Sequence, residues 1–206
     1  MSGTGKKFYV IDDEQALRQT IVAALNSIDL EVESFASGLA FLDAQKDLAP
    51  GCVLLDVRMP DMDGLEVLEK LCQVWIDAPV IMISGQGDIP TAVNAIRSGA
   101  VDFIEKPFRL DDLFEVVNKV RNNELSAPTA SEPANLSQDI EKLLSERERE
   151  VLVLLVRGDQ NKVVAKKLGI SPRTVEVHRA RIMQRLGLGS FAELVRVAVL
   201  SGYSEQ

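Results

Sequence analysis

Three aspartates, a serine and a lysine stand at the ends of short apolar runs. Asp12 and Asp13 follow residues 8–11, Asp56 follows 52–55, Ser84 follows 79–83, and Lys106 comes just beyond 101–104. Carboxylates gathered in one place repel one another and partly protonate unless a cation joins them. A hard divalent ion with oxygen ligands meets that need, most plausibly Mg²⁺, which keeps several of its waters. The same ion neutralises a phosphoryl group in flight, a reaction carried by positioning and charge stabilisation. In that chemistry Asp56 is the nucleophile and forms an aspartyl phosphate, Lys106 pairs with the new phosphate oxygens, and the Ser84 hydroxyl hydrogen-bonds one of them. One aspartate at a strand end is usually a solvated cap or turn residue. Four such ends in order form a cluster.

These residues converge only if the runs are neighbouring strands of one sheet. Residues 8–11, 52–55, 79–83 and 101–104 read as strands buried on both faces of a parallel sheet, and the more polar 31–35 reads as an edge strand. Between them lie helical patterns: Leu17, Ile21, Leu25 and Ile28; Leu65, Leu68, Leu71 and Cys72; Ile89, Val93 and Ile96; Leu110, Leu113, Phe114 and Val117. Five strands interleaved with five helices predict an α/β domain with a doubly wound, five-stranded parallel sheet and right-handed crossovers. In such a sheet ligands bind where the strand C-termini converge.

Length and charge divide the chain. Its 206 residues suit two small domains, over 6–122 and 139–206, and the proline-bearing, small polar stretch 123–138 reads as a linker. Residues 1–124 hold 11 Lys+Arg against 21 Asp+Glu, whereas 157–196 hold 9 against 3, so only the tail is suited to approach a polyanion. No apolar run reaches membrane-span length, and the first residues lack a signal-peptide core, so a cytoplasmic location without membrane contact is expected. Cys52 and Cys72 have no metal-ligand spacing and read as reduced packing residues; a single histidine, His178, leaves little for a zinc site or a Ser-His-Asp triad.

The tail carries helix signals alone, predicting a second, smaller all-α domain. Ser145 to Glu148 and Ser190 to Glu193 have capping-box spacing. A helix over about 161–168, a turn at Gly169-Ile170-Ser171, and a helix over 172–186 capped by Ser171 with Pro172 first form a helix-turn-helix candidate. On a helical wheel of 172–186, Val175, Ile182 and Leu186 face inward, while Arg173, Glu176, Val177, Ala180, Arg181 and Gln184 gather opposite. Such a face suits the major groove of double-stranded DNA: Glu176 could accept from a cytosine amino group and Val177 touch a thymine methyl. Lys162, Thr174, Arg179 and Arg181 suit phosphates. His178 lies at the margin and suits packing or a phosphate contact.

Both halves resemble a known family. Val10-Ile-Asp-Asp-Glu14, Leu55-Asp-Val-Arg-Met-Pro-Asp-Met-Asp-Gly64, Ile83-Ser-Gly85 and Phe103-Ile-Glu-Lys-Pro-Phe108 resemble the receiver domain of bacterial response regulators, which is flavodoxin-like in fold. Residues 144–152 and 161–178 resemble a LuxR-type DNA-binding domain, so the whole chain is similar to the FixJ/NarL response regulators and most of all to the FixJ branch. The resemblance implies Mg²⁺ on Asp12, Asp13, Asp56 and the backbone carbonyl of Arg58, with a sensor histidine kinase as phosphoryl donor. Ser84 and Phe103 fill the hydroxyl and aromatic switch positions, and Asn161 joins Lys162, Arg173, Thr174, Glu176, Val177, Arg179, Ala180 and Arg181 as DNA-binding candidates. A population shift on phosphorylation is expected to give a homodimer through the fourth helix and fifth strand, a face holding Val93 with Arg97 and Asp102 as candidates for an ion pair across it, and RNA polymerase is a further candidate partner.

Two departures stand out: Gln160 where the family usually has serine, which weakens a helix cap, and Gln86 where the FixJ branch commonly has histidine. Arg58 and Gln86, each two residues beyond a pocket group, are candidates for controlling water access and phosphate lifetime. The chain is expected not to be an enzyme. A Mg²⁺-dependent hydrolase with an aspartate nucleophile would need a second carboxylate as Asp-x-Asp, which Asp56-Val57-Arg58 lacks. Gly85-Gln86-Gly87 is too brief for a dinucleotide loop, and no Walker A loop exists.

Overall fold

The structure, a computed structural model, describes residues 7–85, 89–122, 140, 142–200 and 203. The linker expected over 123–138, and Gln86 with Gly87, lie outside the described residues. The chain divides into two compact units, one built on a parallel sheet and one helical throughout its described residues.

Up to residue 122 the chain alternates strand and helix as the sequence predicts. The elements are β1 (Phe8–Ile11), α1 (Gln15–Asn26), β2 (Val32–Phe35), α2 (Gly38–Ala44), β3 (Cys52–Asp56), α3 (Gly64–Val74), β4 (Val80–Gly85), α4 (Ile89–Arg97), β5 (Asp102–Lys106) and α5 (Leu110–Arg121), and all but α4 lie in the first unit. The strands pair in parallel in the order β2-β1-β3-β4-β5, with β2 on the edge. Strand order reverses between β1 and β3, which makes a crevice at their carboxyl ends. Register sets what faces that crevice. Ile11 lies beside Leu55, so Asp12 and Asp56 are the next residues out on adjacent strands. Asp56 is paired with Ile83, one residue short of Ser84, and Gly85 is paired with Lys106.

Alternation of side chains gives the sheet two packed faces. Phe8, Val10, Cys52, Leu54, Ile81 and Ile83 point to one and are buried against Ile21 and Leu25 of α1 and Leu113, Val117 and Val120 of α5. On the other, the Tyr9 ring lies 5.8 Å from Phe41 and 5.5 Å from Trp75. Each fully buried aliphatic side chain contributes about 1.5–3 kcal/mol, and this core holds the polar rim in place. Two residues of the helical patterns fall elsewhere. Ile28 lies beyond α1, because the chain turns at Asp29 (φ 60°), yet it still packs on the core. Leu110 opens α5 and is exposed.

The second unit contains α4 together with α6 (Glu146–Val156), α7 (Asn161–Leu168), α8 (Pro172–Leu186) and α9 (Phe191–Leu200). The Ser145–Glu148 capping box forms, with each side chain taking the other's backbone N–H. Ser171 caps α8 by accepting from Thr174 N–H, with Pro172 in the first helical position. Ser190 accepts from Glu193 N–H, while the Glu193 carboxylate takes the N–H of Gly189. Gln160 precedes α7 without a side-chain cap, as its replacement of serine implies. Gly169 and Gly187 end α7 and α8 in the left-handed region, where glycine has no Cβ penalty. Buried Glu148 joins the helices: Arg185 reaches its carboxylate at 3.4 Å and the Leu143 carbonyl at 2.9 Å. Burial pushes the Glu148 carboxyl up, but hydrogen bonds from Ser145 and the Arg185 charge outweigh it and leave its pKa below the usual value.

The loop after β3 is held at several points. Asp63 caps α3 by accepting from Leu65 N–H, and Asp61 reaches over to accept from Leu39 N–H in α2. Gly64 N–H donates to the Val57 carbonyl at 2.8 Å, bringing the two strands of the loop so close that a Cβ at position 64 would meet the Asp56 carbonyl oxygen at 2.2 Å. Both neighbours are backbone, so neither can step aside. Gly64→Ala is therefore expected to cost roughly 1–3 kcal/mol of stability, read as a lower urea midpoint of Trp75 fluorescence, and to slow phosphorylation at Asp56. An unshifted midpoint would show that the loop yields.

Candidate functional site

The strand ends bring Asp12, Asp13, Asp56, Ser84 and Lys106 to one edge of the sheet. Asp12 and Asp56 are 0% and 4% exposed, and Asp13 faces solvent. A carboxylate oxygen from each of the three lies within 4.8 Å of the others. Lys106 Nζ stands between the two buried acids, 2.9 Å from Asp12 Oδ2 and 2.8 Å from Asp56 Oδ1. Ser84 is 1% exposed, and its Oγ has no hydrogen-bond partner among the described residues. Arg58 is exposed, two residues past Asp56, and Phe103 is buried in β5.

The electrostatics follow from burial. Desolvation pushes the Asp56 carboxyl above its usual pKa; Lys106 pulls the other way, and Asp12 and Asp13 add to the rise. Burial works against the charge of Lys106, yet its hydrogen bonds to Asp56 and Asp12 outweigh that and raise its pKa. Three carboxyl groups, one solvent-facing, match the oxygen donors a hard divalent cation takes.

Asp12 is fixed at four atoms. Its N–H donates to the Phe35 carbonyl, Oδ1 accepts from Glu14 N–H at 2.8 Å, Oδ2 accepts from Lys106, and its carbonyl accepts from Arg18 Nη1 at 2.6 Å. The Arg18 and Asp61 contacts are absent from the sequence reading, since no short-range spacing announces a side chain that reaches out of its own element.

In the helical unit Val175 and Ile182 are buried and Leu186 is half-buried, while Arg173, Glu176, Val177, Ala180, Arg181 and Gln184 are all exposed on α8. Lys162 is exposed on α7, and Asn161 is half-buried, its Oδ1 without a hydrogen-bond partner among the described residues. Thr174 shares its hydroxyl with Ser171 at 2.8 Å. Arg179 lies over the Phe191 ring at 4.4 Å, a cation–π contact that joins α8 to α9. His178 is half-buried. Of the residues expected on a dimer face, Arg97 is exposed, whereas Val93 and Asp102 are buried at 1% and 3% exposure.

Parallel order β2-β1-β3-β4-β5 with an acidic cluster, a buried hydroxyl and a lysine at the strand ends is a receiver-type arrangement, and the second unit carries a helix-turn-helix. Residues 8–118 match the response regulator receiver domain, and residues 142–198 match the bacterial regulatory proteins of the luxR family. The chain is 43% identical to the response regulator protein TmoT of Ectopseudomonas mendocina, over 92% of this chain and 86% of that protein. It is 40% identical to the transcriptional regulatory protein FixJ of Bradyrhizobium diazoefficiens, over 94% and 95% of the two chains. The crystal structure of full-length FixJ from B. japonicum shares 41% identity with it, covering 97% of this chain and 98% of that one, at a TM-score of 0.54.

The chain belongs to the response regulators with a LuxR-type DNA-binding domain, and it is a phosphorylation-dependent transcription regulator, not an enzyme. Receiver domains bind Mg²⁺ at an acidic pocket, and the two domains imply a sensor kinase and DNA as partners. Among the described residues no helix is long and apolar enough to cross a membrane.

A carboxyl whose folded pKa lies above its unfolded one costs the fold stability wherever it is ionised, and that cost is gone below both pKa values. In metal-free buffer at pH 7, Asp56→Asn should therefore raise the urea midpoint read at Trp75, the chain's single tryptophan. The gain should shrink as pH falls through the raised Asp56 pKa. A gain that grows on acidification would contradict this sign.

Proposed function

We propose that Asp56 accepts the phosphoryl group from a phosphohistidine on the sensor kinase. The observation that carries this reading is Lys106 held between buried Asp12 and Asp56, with the orphaned Ser84 hydroxyl beside them in register. Asp12, Asp13, Asp56 and the Arg58 carbonyl are the residues that would hold Mg²⁺, which when bound neutralises phosphoryl oxygens. Attack by an Asp56 oxygen on phosphorus breaks the phosphorus–nitrogen bond and leaves histidine as product. Lys106 then pairs with the phosphate oxygens, and Ser84 Oγ, lacking a partner, supplies a hydrogen bond to one of them. Phe103 follows Ser84 as the aromatic switch. Arg58 and Gln86 set how readily water attacks the aspartyl phosphate.

Phosphorylation shifts the population toward a receiver that dimerises through a face of α4 and β5. Dimerisation raises the effective concentration of the second DNA-binding unit, tightening promoter binding without new base contacts. Domain bounds of 6–122 and 139–206 enclose both family matches, with 123–138 as linker. The setting is cytoplasmic, and RNA polymerase is the partner at the promoter.

On DNA, exposed Glu176, Val177 and Ala180 of α8 meet base edges, while Asn161, Lys162, Arg173, Thr174 and Arg181 meet phosphates. Arg179 reaches a phosphate from its seat on Phe191.

Two measurements test this reading. Acetyl phosphate should drive dimerisation and promoter binding of the native protein and leave Asp56→Asn monomeric, as read by analytical ultracentrifugation and gel shift; equal responses would remove Asp56 from its role. Lys162→Ala should weaken binding alike on all sequences and reduce the logarithmic salt slope by about 1. Val177→Ala should instead relax preference at one base pair with the slope unchanged.

A further inference from the structure

Arg18 stands in α1, one turn in from its N-terminus, where the helix dipole disfavours a cation and acidic residues are the usual choice. It is half-buried, and its Nη1 donates to the Asp12 carbonyl at 2.6 Å. That carbonyl belongs to a fully buried residue just past the last ladder position of β1, where a backbone acceptor without a partner carries a desolvation cost. From these contacts we infer that Arg18 is a positioning residue for divalent-cation binding: it pins the Asp12-Asp13-Glu14 turn so that two carboxylates are presented together. The inference rests on the reading that Asp12, Asp13 and Asp56 hold the cation.

The four tethers of Asp12 are not equivalent. Lys106 donates to Asp12 Oδ2, a carboxylate oxygen of a residue in the acidic cluster, so a cation that takes that oxygen competes with the bond. Oδ1 is engaged by Glu14 N–H and is also a carboxylate atom. Arg18 grips the main chain, and its bond survives whichever group takes the carboxylate oxygens. It is the one side-chain tether on Asp12 that cation binding does not consume. The turn then keeps its shape in both states, and ordering it adds nothing to the cost of binding.

Charge and positioning make opposite predictions, which allows a clean test. As a nearby positive charge Arg18 opposes a divalent cation, so removing it would tighten binding. As a tether it aids binding, so removing it would loosen it. Binding of Mn²⁺, a paramagnetic substitute for Mg²⁺, is measured on the full chain from the electron paramagnetic resonance of the unbound ion. Asp13→Asn serves as the site control, and Trp75 emission with circular dichroism serves as the check of folding.

Arg18→Met should weaken Mn²⁺ binding about tenfold, the lower end of the loss seen when a partner of a metal ligand is removed. Arg18→Lys should stay within about twofold of native, because one donor to one carbonyl does not need the guanidinium fork. Native or tighter binding by Arg18→Met, or no recovery in Arg18→Lys, would overturn the inference while Asp13→Asn still loses the ion. If native protein and Asp13→Asn bind alike, the pocket reading itself fails and this one with it. Should Arg18→Met not fold, Arg18→Gln, too short to reach the carbonyl, repeats the comparison with the same loss expected and the same outcome against it.

Discussion

Two buried carboxylates sharing one ammonium govern this molecule. Removing Asp12 and Asp56 from water costs several kcal/mol for each ion, and that cost is offset only where a cation sits at hydrogen-bond distance. Lys106 provides it at 2.9 and 2.8 Å. The balance is incomplete, since the Asp56 pKa stays raised by burial. A site held in this condition favours any further source of positive charge.

The fold exists around that arrangement. Asp12, Asp56, Ser84 and Lys106 come from four strands separated by as many as 94 positions in the chain, and their edge is defined by ladder register rather than by local turns. Two packed faces of aliphatic and aromatic side chains supply the favourable burial that offsets the desolvated polar rim. The loop from Asp56 to Gly64 is locked by backbone contact, and the turn after β1 by Arg18. Ser84 Oγ is buried and has no hydrogen-bond partner among the described residues.

The helical unit solves a different problem. Its helix α8 has an exposed face, and its ends and flanks are secured. Ser171 and Gly187 bound α8, Arg179 stacks on Phe191, and Arg185 ties α8 to Glu148 and to the Leu143 carbonyl. Rigidity matters because base-edge discrimination depends on geometry, whereas phosphate contacts tolerate some play. The exposed residues of α8 include Glu176 and Val177 among arginines.

Much of this was legible in the amino-acid order. Continuous apolar runs marked the buried strands, the polar run 31–35 marked the edge, and the acids at run ends marked the crevice, because strand burial and strand termination are written locally. Capping boxes at Ser145 and the Ser171-Pro172 start of α8 were equally local, and both form. Ile28 and Leu110 continued a periodic pattern without sharing its burial, since periodicity does not record where a helix stops. The reach of Arg18 to the Asp12 carbonyl, of Asp61 to α2, of Arg179 to Phe191, and the burial of Val93 and Asp102 were decided by the tertiary structure alone. The reason is physical: composition and spacing fix which residues occupy a strand end or a helix face. Whether a long side chain spans the gap to another element depends on distances that exist only once the elements have packed.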